Sequence, residues 1–282
     1  MLCQARPVAN ATRRSRAELR AVLLDVGVNL LFKRGLVGGA EHVTFTDVFA
    51  EAESRWGSAI NPASVYKRIW KDQSEFQRDV LLAAASFYPD PDGEGLPALK
   101  VAREFMTTMD VSTPETRARA LSEVCRVAAQ AHLEMLEASR PWQIWVGIWA
   151  LTVSTPTTDD DEMVGPSIHA GNQKATQSLQ ALLEEVVPAV GYGISSPFSF
   201  EQLALTVGAL AEGIALRNRF AQEHLMWVDR AAGFPGAPVD HGSSGLAGDP
   251  GGGADRSRWT LFGVAFEALV LQFCAPVPHF RP

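Results

Sequence analysis

The sequence predicts an all-α fold with a small amino-terminal domain and a larger carboxy-terminal domain. Apolar residues recur at spacings of three and four along most of the chain, and the alternation typical of strands is essentially absent. Helix-breaking residues cluster between Pro89 and Pro97, so the predicted domains cover residues 1–88 and 97–282. Residues 155–166 are predicted to be a loop. Residues 233–255 are predicted to be a flexible loop because Gly, Pro and Ser dominate them.

The first helix is predicted over Arg16–Arg34, after a flexible basic arm of residues 1–15. Its basic last turn is favoured by the helix dipole, and Gly35 supplies a left-handed cap. A single apolar stripe runs along it, formed by Leu19, Leu23, Val26 and Leu30.

Three helical segments follow this first helix. A second helix is predicted from Thr44 to Arg55, and a short helix, N-P-A-S-V-Y-K-R-I-W, from Asn61 to Trp70. A further helix opens at Asp72, where Glu75 three residues later completes a capping box. A short basic helix placed behind another helix is the helix-turn-helix arrangement, whose second helix enters the major groove of DNA.

The carboxy-terminal domain is predicted to be helical throughout, apart from its loops. Pro114 is placed in a first helical turn, where its missing N–H is tolerated. The predicted helices are Leu99–Asp110, Pro114–Ala138, Pro141–Val153, Gly171–Val190, Ser199–Leu225 and Arg256–Phe273.

Charge is distributed unevenly along the chain. The net charge is −7, yet residues 1–80 hold twelve basic and nine acidic side chains, which leaves +3 there and −10 over the remainder. A basic amino-terminal part on an acidic body suits a molecule that contacts phosphate at one end only.

The cysteines and the apolar stretches indicate a cytoplasmic protein. Cys3, Cys125 and Cys274 lack metal-ligand spacing, and no secretory leader is recognisable. The apolar stretches at residues 144–153 and 261–274 are too short to span a membrane. We therefore expect no membrane association, no metal and no cofactor.

The candidate DNA contacts lie in and around the short helix. Base-edge and phosphate contacts are expected at its amino-terminal turn, which comprises Asn61, Pro62, Ala63 and Ser64. Cations cluster beside it at Lys67, Arg68 and Lys71, although surface charge is usually only solvated. Tyr66 suits a phosphate hydrogen bond and a purely core position equally well.

Three further residues complete this candidate surface. Thr44 and Thr46 are placed to donate to phosphate, but helix capping alone would explain one of them. Arg16, with the arm before it, is placed to reach an adjacent phosphate or the minor groove. A frayed, solvated tail is the alternative for the arm.

The amino-terminal segment resembles the DNA-binding domain of the tetracycline-repressor-type (TetR) family. The resemblance covers roughly residues 16–85: Thr44 and Thr46 stand at the family's second helix, and its recognition pattern Ser-x-x-Thr-Leu-Tyr is matched by Asn61, Ser64, Val65 and Tyr66. The turn before Tyr66 is longer than in the family. The resemblance implies an all-helical homodimer that binds a palindromic DNA operator and releases it when the carboxy-terminal domain binds a small-molecule effector.

A homodimer is also expected on energetic grounds, because one module contacts only a handful of phosphates. Small residues on the penultimate helix would let a second copy approach closely, and the final helix is apolar nearly all round. The alternative is that the final helix is central to a monomer core. The predicted interface residues are Ala204, Gly208, Ala211, Ala215, Phe262, Phe266 and Leu269.

Effector-binding residues are sought among the aromatic side chains of the carboxy-terminal domain. An aromatic stripe at helical spacing, one histidine on an apolar helix face and two nearby apolar residues suit a flat, mostly apolar ligand. Such stripes more often belong to the core. The candidates are Phe105, Met109, His132, Trp142, Trp145 and Trp149.

Enzyme motifs are missing from the sequence. There is no Glu-x-x-His pair, no nucleophile elbow and no phosphate-binding loop, and the acidic run at residues 159–162 lacks calcium-loop spacing. We therefore expect a non-enzymatic, ligand-responsive transcriptional regulator, most simply a repressor. The alternative is a non-catalytic helical dimer of the same fold that has lost DNA binding and acts in protein interaction.

Overall fold

The computed structural model is mostly helical, as the sequence predicts. It describes residues 15–36, 43–56, 60, 62, 65, 68–86, 96–154, 159–219, 227–229 and 258–280. Within these ranges the helices are α1 (Arg16–Arg34), α2 (Phe45–Trp56), α3 (Gln73–Ala85), α4 (Pro97–Met106), α5 (Pro114–Ala138), α6 (Arg140–Ser154), α7 (Asp159–Ala189), α8 (Phe200–Asn218) and α9 (Leu261–Phe273).

Four short strands were not predicted. β1 (Tyr192–Ile194) pairs antiparallel with β4 (Cys274–Pro276), and β2 (Trp227–Asp229) pairs antiparallel with β3 (Arg258–Thr260). Each strand has only three residues, too few to show an alternating pattern in the sequence. The two ladders flank α9, because β3 ends where that helix begins and β4 begins where it ends.

Several predicted boundaries were wrong. α4 ends at Met106, not at Asp110, and α8 ends at Asn218, not at Leu225. Residues 159–166 belong to the start of α7, not to a loop, and α9 begins at Leu261, not at Arg256. The acidic run at residues 159–162 is compatible with a helix start because the helix dipole favours negative charge there. The flexible loop expected over residues 233–255 and residues 1–14 of the expected basic arm lie outside the described residues. Ser15, the last residue assigned to that arm, instead caps α1.

The chain forms two compact units. The first lies within Met1–Phe87 and Ile144–Ile168, and the second within Tyr88–Gln143 and His169–Pro282. This division differs from the sequence-based one in grouping residues 144–168 with the amino-terminal part.

The first unit is built around α1. Ser15 caps the helix and forms a reciprocal capping box with Glu18, and Gly35 ends it with a positive φ of 90°. The α1 face that includes Leu23 and Val26 is buried, as its apolar stripe predicts. Gly27 lets α3 approach closely, since a Cβ there would lie 2.7 Å from Val80 Cγ2.

In the second unit, α5 packs antiparallel against α9. Ser122 donates a hydrogen bond to the buried Glu267 carboxylate, and the rings of His132 and Phe262 lie 6.2 Å apart. α8 packs on α7, where a Cβ at Gly208 would lie 3.3 Å from Leu179 Cδ1. Within the described ranges, none of the helices has both the length and the apolar character needed to cross a bilayer.

Candidate functional site

An aromatic cluster forms the base of the candidate DNA-binding surface. Phe45, Trp70 and Phe76 are almost completely buried. The ring centroids of Phe45 and Phe76 are 4.7 Å apart, and those of Trp70 and Phe76 are 4.8 Å apart in an edge-to-face arrangement. These contacts join α2 and α3 to Trp70, which ends the predicted short helix, so that end of the segment has a fixed position.

Only part of the predicted short helix is described. Pro62 and Val65 are helical, and the Val65 carbonyl accepts hydrogen bonds from the amides of Arg68, Ile69 and Trp70. Val65 is buried, whereas Pro62 and Arg68 are exposed. The other predicted contacts of this segment lie outside the described residues, namely Asn61, Ala63, Ser64, Tyr66 and Lys67.

Asp79 was not singled out from the sequence, yet it links three parts of the first unit. Its Oδ2 atom accepts a hydrogen bond from Trp70 Nε1 at 2.5 Å and from Arg20 Nη2 at 2.6 Å. The Arg20 guanidinium also lies 5.8 Å from the centroid of the Trp70 ring. No spacing rule joins residues 20, 70 and 79, so only the folded arrangement identifies this link.

Several cations of the first unit are neutralised by carboxylates. Arg20 pairs with Asp79, Lys33 with Glu51 at 3.3 Å, and Arg34 with Asp47 at 2.9 Å. Arg55 pairs with the same Glu51 carboxylate at 3.0 Å. These contacts hold α1, α2 and α3 together. They also neutralise the charges of these cations within the protein.

Three predicted DNA contacts have no such pairing. Arg16, Arg68 and Lys71 are exposed, and none forms an ion pair with a carboxylate among the described residues. Arg68 and Lys71 flank the buried Trp70. Arg16 lies one helical turn before Arg20, on the same side of α1. These three side chains are named here the free cations: Arg68 and Lys71 lie beside Trp70 in the sequence, and Arg16 lies one helical turn from Arg20, which contacts the Trp70 ring.

Thr44 and Thr46 differ in what their side chains contact. Thr44 caps α2: its hydroxyl accepts from the Asp47 amide at 3.2 Å and donates to the Asp47 carboxylate at 2.6 Å. Hydrogen bonds from Arg34 and then from Thr44 hold the pKa of the Asp47 carboxyl well below its usual range. Thr46 lies in the first turn of α2 and is exposed.

Two of the predicted effector residues in the second unit carry a buried polar atom that has no hydrogen-bond partner. His132 Nδ1 and Trp142 Nε1 have no hydrogen-bond partner, although both residues are almost completely buried. Burial lowers the pKa of His132 to about 4, so its imidazole is neutral at pH 7. Phe105 and Met109 are half-buried in the same unit. A buried polar atom without a partner is destabilising, which makes His132 Nδ1 and Trp142 Nε1 candidate ligand contacts.

The other two aromatic candidates belong to the first unit. The rings of Trp145 and Trp149 are nearly parallel, with centroids 6.3 Å apart. Trp145 is buried and its Nε1 atom also has no partner, whereas the Trp149 side chain is 42% exposed. The six predicted effector residues are thus divided between the two units.

Most of the residues predicted for the dimer interface are buried within the chain. Buried residues of this set are Ala204, Ala211, Ala215, Phe262 and Phe266. Gly208 lies against Leu179 of the same subunit, and Leu269 is half-buried. The small residues serve close packing inside the subunit instead.

The outer faces of α8 and α9 carry different apolar residues. Leu205 is 62% exposed, and Leu261 and Leu271 are also exposed. Glu212 lies two helical turns after Leu205 on the same face of α8. Burial raises the pKa of Glu212 to about 7.

Metal binding finds no support within the described ranges, where no group of three or more His, Cys, Asp or Glu side chains is placed to hold an ion. Comparison of the sequence with protein-family models and with curated proteins found no match. The site's chemistry therefore has to be inferred from its own residues.

Proposed function

We propose that the protein is a ligand-responsive transcriptional regulator of the cytoplasm that binds a palindromic operator as a homodimer and represses transcription. The resemblance to the TetR family motivates the proposal. The observation that carries it is the arrangement of the free cations Arg16, Arg68 and Lys71 around a segment fixed by a buried tryptophan.

Only some of the exposed cations of the first unit are paired with carboxylates, and the unpaired ones favour a phosphate partner. Lys33, Arg34 and Arg55 are exposed enough to contact DNA, but each is neutralised by a carboxylate of the first unit. A cation that keeps its full charge releases more counterions when it meets phosphate, so it contributes more to binding. The free cations lie where the resemblance places the DNA, which is not expected of charge that serves solubility alone.

A homodimer follows from the weakness of a single module. Sequence-independent binding by such a module has a Kd of about 10⁻⁴ to 10⁻⁶ M at physiological salt. Two modules spaced by one helical turn of DNA, about 34–36 Å, read both halves of a palindrome and reach much tighter binding. The exposed residues Leu205, Leu261 and Leu271 are the apolar surface that we assign to the second copy.

Buried polar atoms of the second unit are the expected effector contacts. The unpartnered Nε1 atom of Trp142 can donate a hydrogen bond to an acceptor on a ligand, and the neutral His132 imidazole suits an uncharged polar group. Repression would be relieved if the ligand favoured a conformation that does not fit the operator. Full reversal requires about a 10⁴-fold preference for that conformation.

A salt titration of DNA binding tests the proposal. Affinity of the purified protein for random-sequence duplex DNA is measured over a range of salt concentrations, together with the Arg68→Ala and Arg55→Ala variants. Each phosphate contact contributes about 0.9 to the slope of log affinity against log salt. We expect Arg68→Ala to lower the slope by about one for each subunit bound, and Arg55→Ala to leave it unchanged because Arg55 is already paired.

The outcomes separate the two functions considered. A steep salt dependence that falls in Arg68→Ala supports a DNA-binding regulator. Weak binding at every salt concentration would instead favour the non-catalytic protein-interaction module. Equal slopes for the unaltered protein and Arg68→Ala would remove Arg68 from the DNA surface.

A further inference from the structure

The carboxylate of Asp79 forms hydrogen bonds both to α1 and to the end of the predicted recognition segment, Asn61–Trp70. It extends from the middle of α3, and its side chain is 20% exposed. A single oxygen, Oδ2, accepts from Trp70 Nε1 and from Arg20 Nη2. Three elements therefore meet at one atom.

Trp70 transmits this contact to the recognition segment. Its amide is bonded to the Val65 carbonyl, so the tryptophan is continuous with the last turn of the segment. Its ring is held by Phe45 and Phe76, and its indole N–H is fixed by Asp79. A displacement of Trp70 from α3 would break this hydrogen bond.

Arg20 has a different role from the free cations. Its guanidinium is bonded to Asp79 and lies over the Trp70 ring. Because both groups are charged, the hydrogen bond from Arg20 to the Asp79 carboxylate is a strong one, and it largely neutralises the charge of Arg20. Arg20 is thus placed as a counter-ion of Asp79, one turn beyond the unpaired Arg16.

We propose that Asp79 is a positioning residue that sets the orientation in which the recognition segment meets the duplex, and that Arg20 supports it without contacting phosphate. The inference rests on the proposed function. Base edges are recognised by hydrogen bonds with strict distance and angle requirements, whereas long cationic side chains adapt to phosphates. Loss of Asp79 should therefore impair sequence discrimination more than binding itself.

Two kinds of duplex distinguish these effects. One is selected from a random pool by the unaltered protein, and the other has random sequence. We expect Asp79→Ala to lower the ratio of the two affinities about tenfold or more, which is the discrimination carried by one or two base contacts. Its affinity for random duplex should not fall, because Arg20 gains rather than loses free charge.

Conservative variants separate the two hydrogen bonds. Trp70→Phe keeps a ring in the cluster but removes the indole donor, so it should lower the same ratio. Asp79→Asn keeps an acceptor for Trp70 and loses the charge opposite Arg20, so it should retain more discrimination than Asp79→Ala. Glu51→Ala is the matched control, because Glu51 also pairs two cations of this unit but lies away from Trp70; its ratio should match that of the unaltered protein.

Circular dichroism and thermal unfolding establish that each variant is folded at the binding temperature. If Asp79→Ala does not fold, Trp70→Phe and Asp79→Asn provide the comparison. An unchanged ratio in folded variants would overturn the inference, and so would an equal loss of affinity for both duplexes. Failure of the unaltered protein to bind either duplex would instead refute the proposed function, and the inference with it.

Discussion

Acid should destabilise the second unit through His132. The imidazole is almost completely buried beside Phe262, and burial lowers its pKa from 6.5 to about 4. The folded protein therefore holds His132 neutral where an unfolded chain would already bind a proton. Stability from this group is fully present above about pH 6.5 and is lost as the pH falls towards 4, below which both states are protonated.

The size of the effect follows from the two pKa values. Each pKa unit corresponds to about 1.36 kcal/mol, so the difference between 6.5 and about 4 amounts to roughly 3 kcal/mol when fully developed. Between about pH 7.5 and about pH 4.5 most of this loss, about 2–3 kcal/mol, should be observed. That is a large fraction of the stability of an ordinary domain, which is about 5–15 kcal/mol.

Denaturant unfolding of His132→Leu measures this contribution. The free energy of unfolding of the variant should fall by about 2–3 kcal/mol less than that of the unaltered protein over the same pH interval. At neutral pH the variant should be at least as stable, because Nδ1 of His132 has no partner to lose. His169→Leu is the control, since it also removes one imidazole but at an exposed position of α7. Parallel pH profiles for His132→Leu and the unaltered protein would refute the reasoning.

Three other substitutions have defined outcomes. Glu212→Gln should raise the free energy of unfolding by about 1–3 kcal/mol near pH 8 and by little near pH 4. The reason is that a carboxyl with a raised pKa destabilises the fold as the pH rises from 4.5 through about 7. An effect of the same size at both pH values would contradict this. Gly27→Ala should lower thermal stability by about 1–3 kcal/mol, since the added Cβ would lie 2.7 Å from Val80 Cγ2 and 2.9 Å from Phe76 Cζ; unchanged unfolding would refute the close packing. We propose that the 62% exposed Leu205 lies in a homodimer interface, so Leu205→Glu should convert the dimer to a folded monomer in sedimentation experiments; a persistent dimer would place the interface elsewhere.

The helices and their caps were largely predictable because local sequence determines them. α1 and α5 have the predicted bounds, and Ser15, Thr113 and Ser199 form capping boxes at the starts of α1, α5 and α8. The signal at Asp72 was only partly correct. Its carboxylate caps α3, but Glu75 accepts from the Lys71 amide and not from that of Asp72.

Side-chain neighbours were not predictable, because they depend on contacts between distant parts of the chain. The small stripe on α8 indicated a close approach, but sequence alone does not say whether the neighbour is α7 or a second subunit. The structure assigns Gly208 to Leu179 of the same chain. Likewise, the charges of Arg20 and Arg68 look alike in the sequence, and only folding shows that Asp79 neutralises one and not the other.

The paired strands at the two ends of α9 restrict how that helix can move. The pairing of β3 holds Thr260, the residue just before the helix, and the pairing of β4 holds Cys274, the residue just after it. Sliding along its axis would break both ladders at once, whereas turning about the axis or bending in the middle would preserve them. Any mechanical response that passes through this helix must therefore be torsional or flexural.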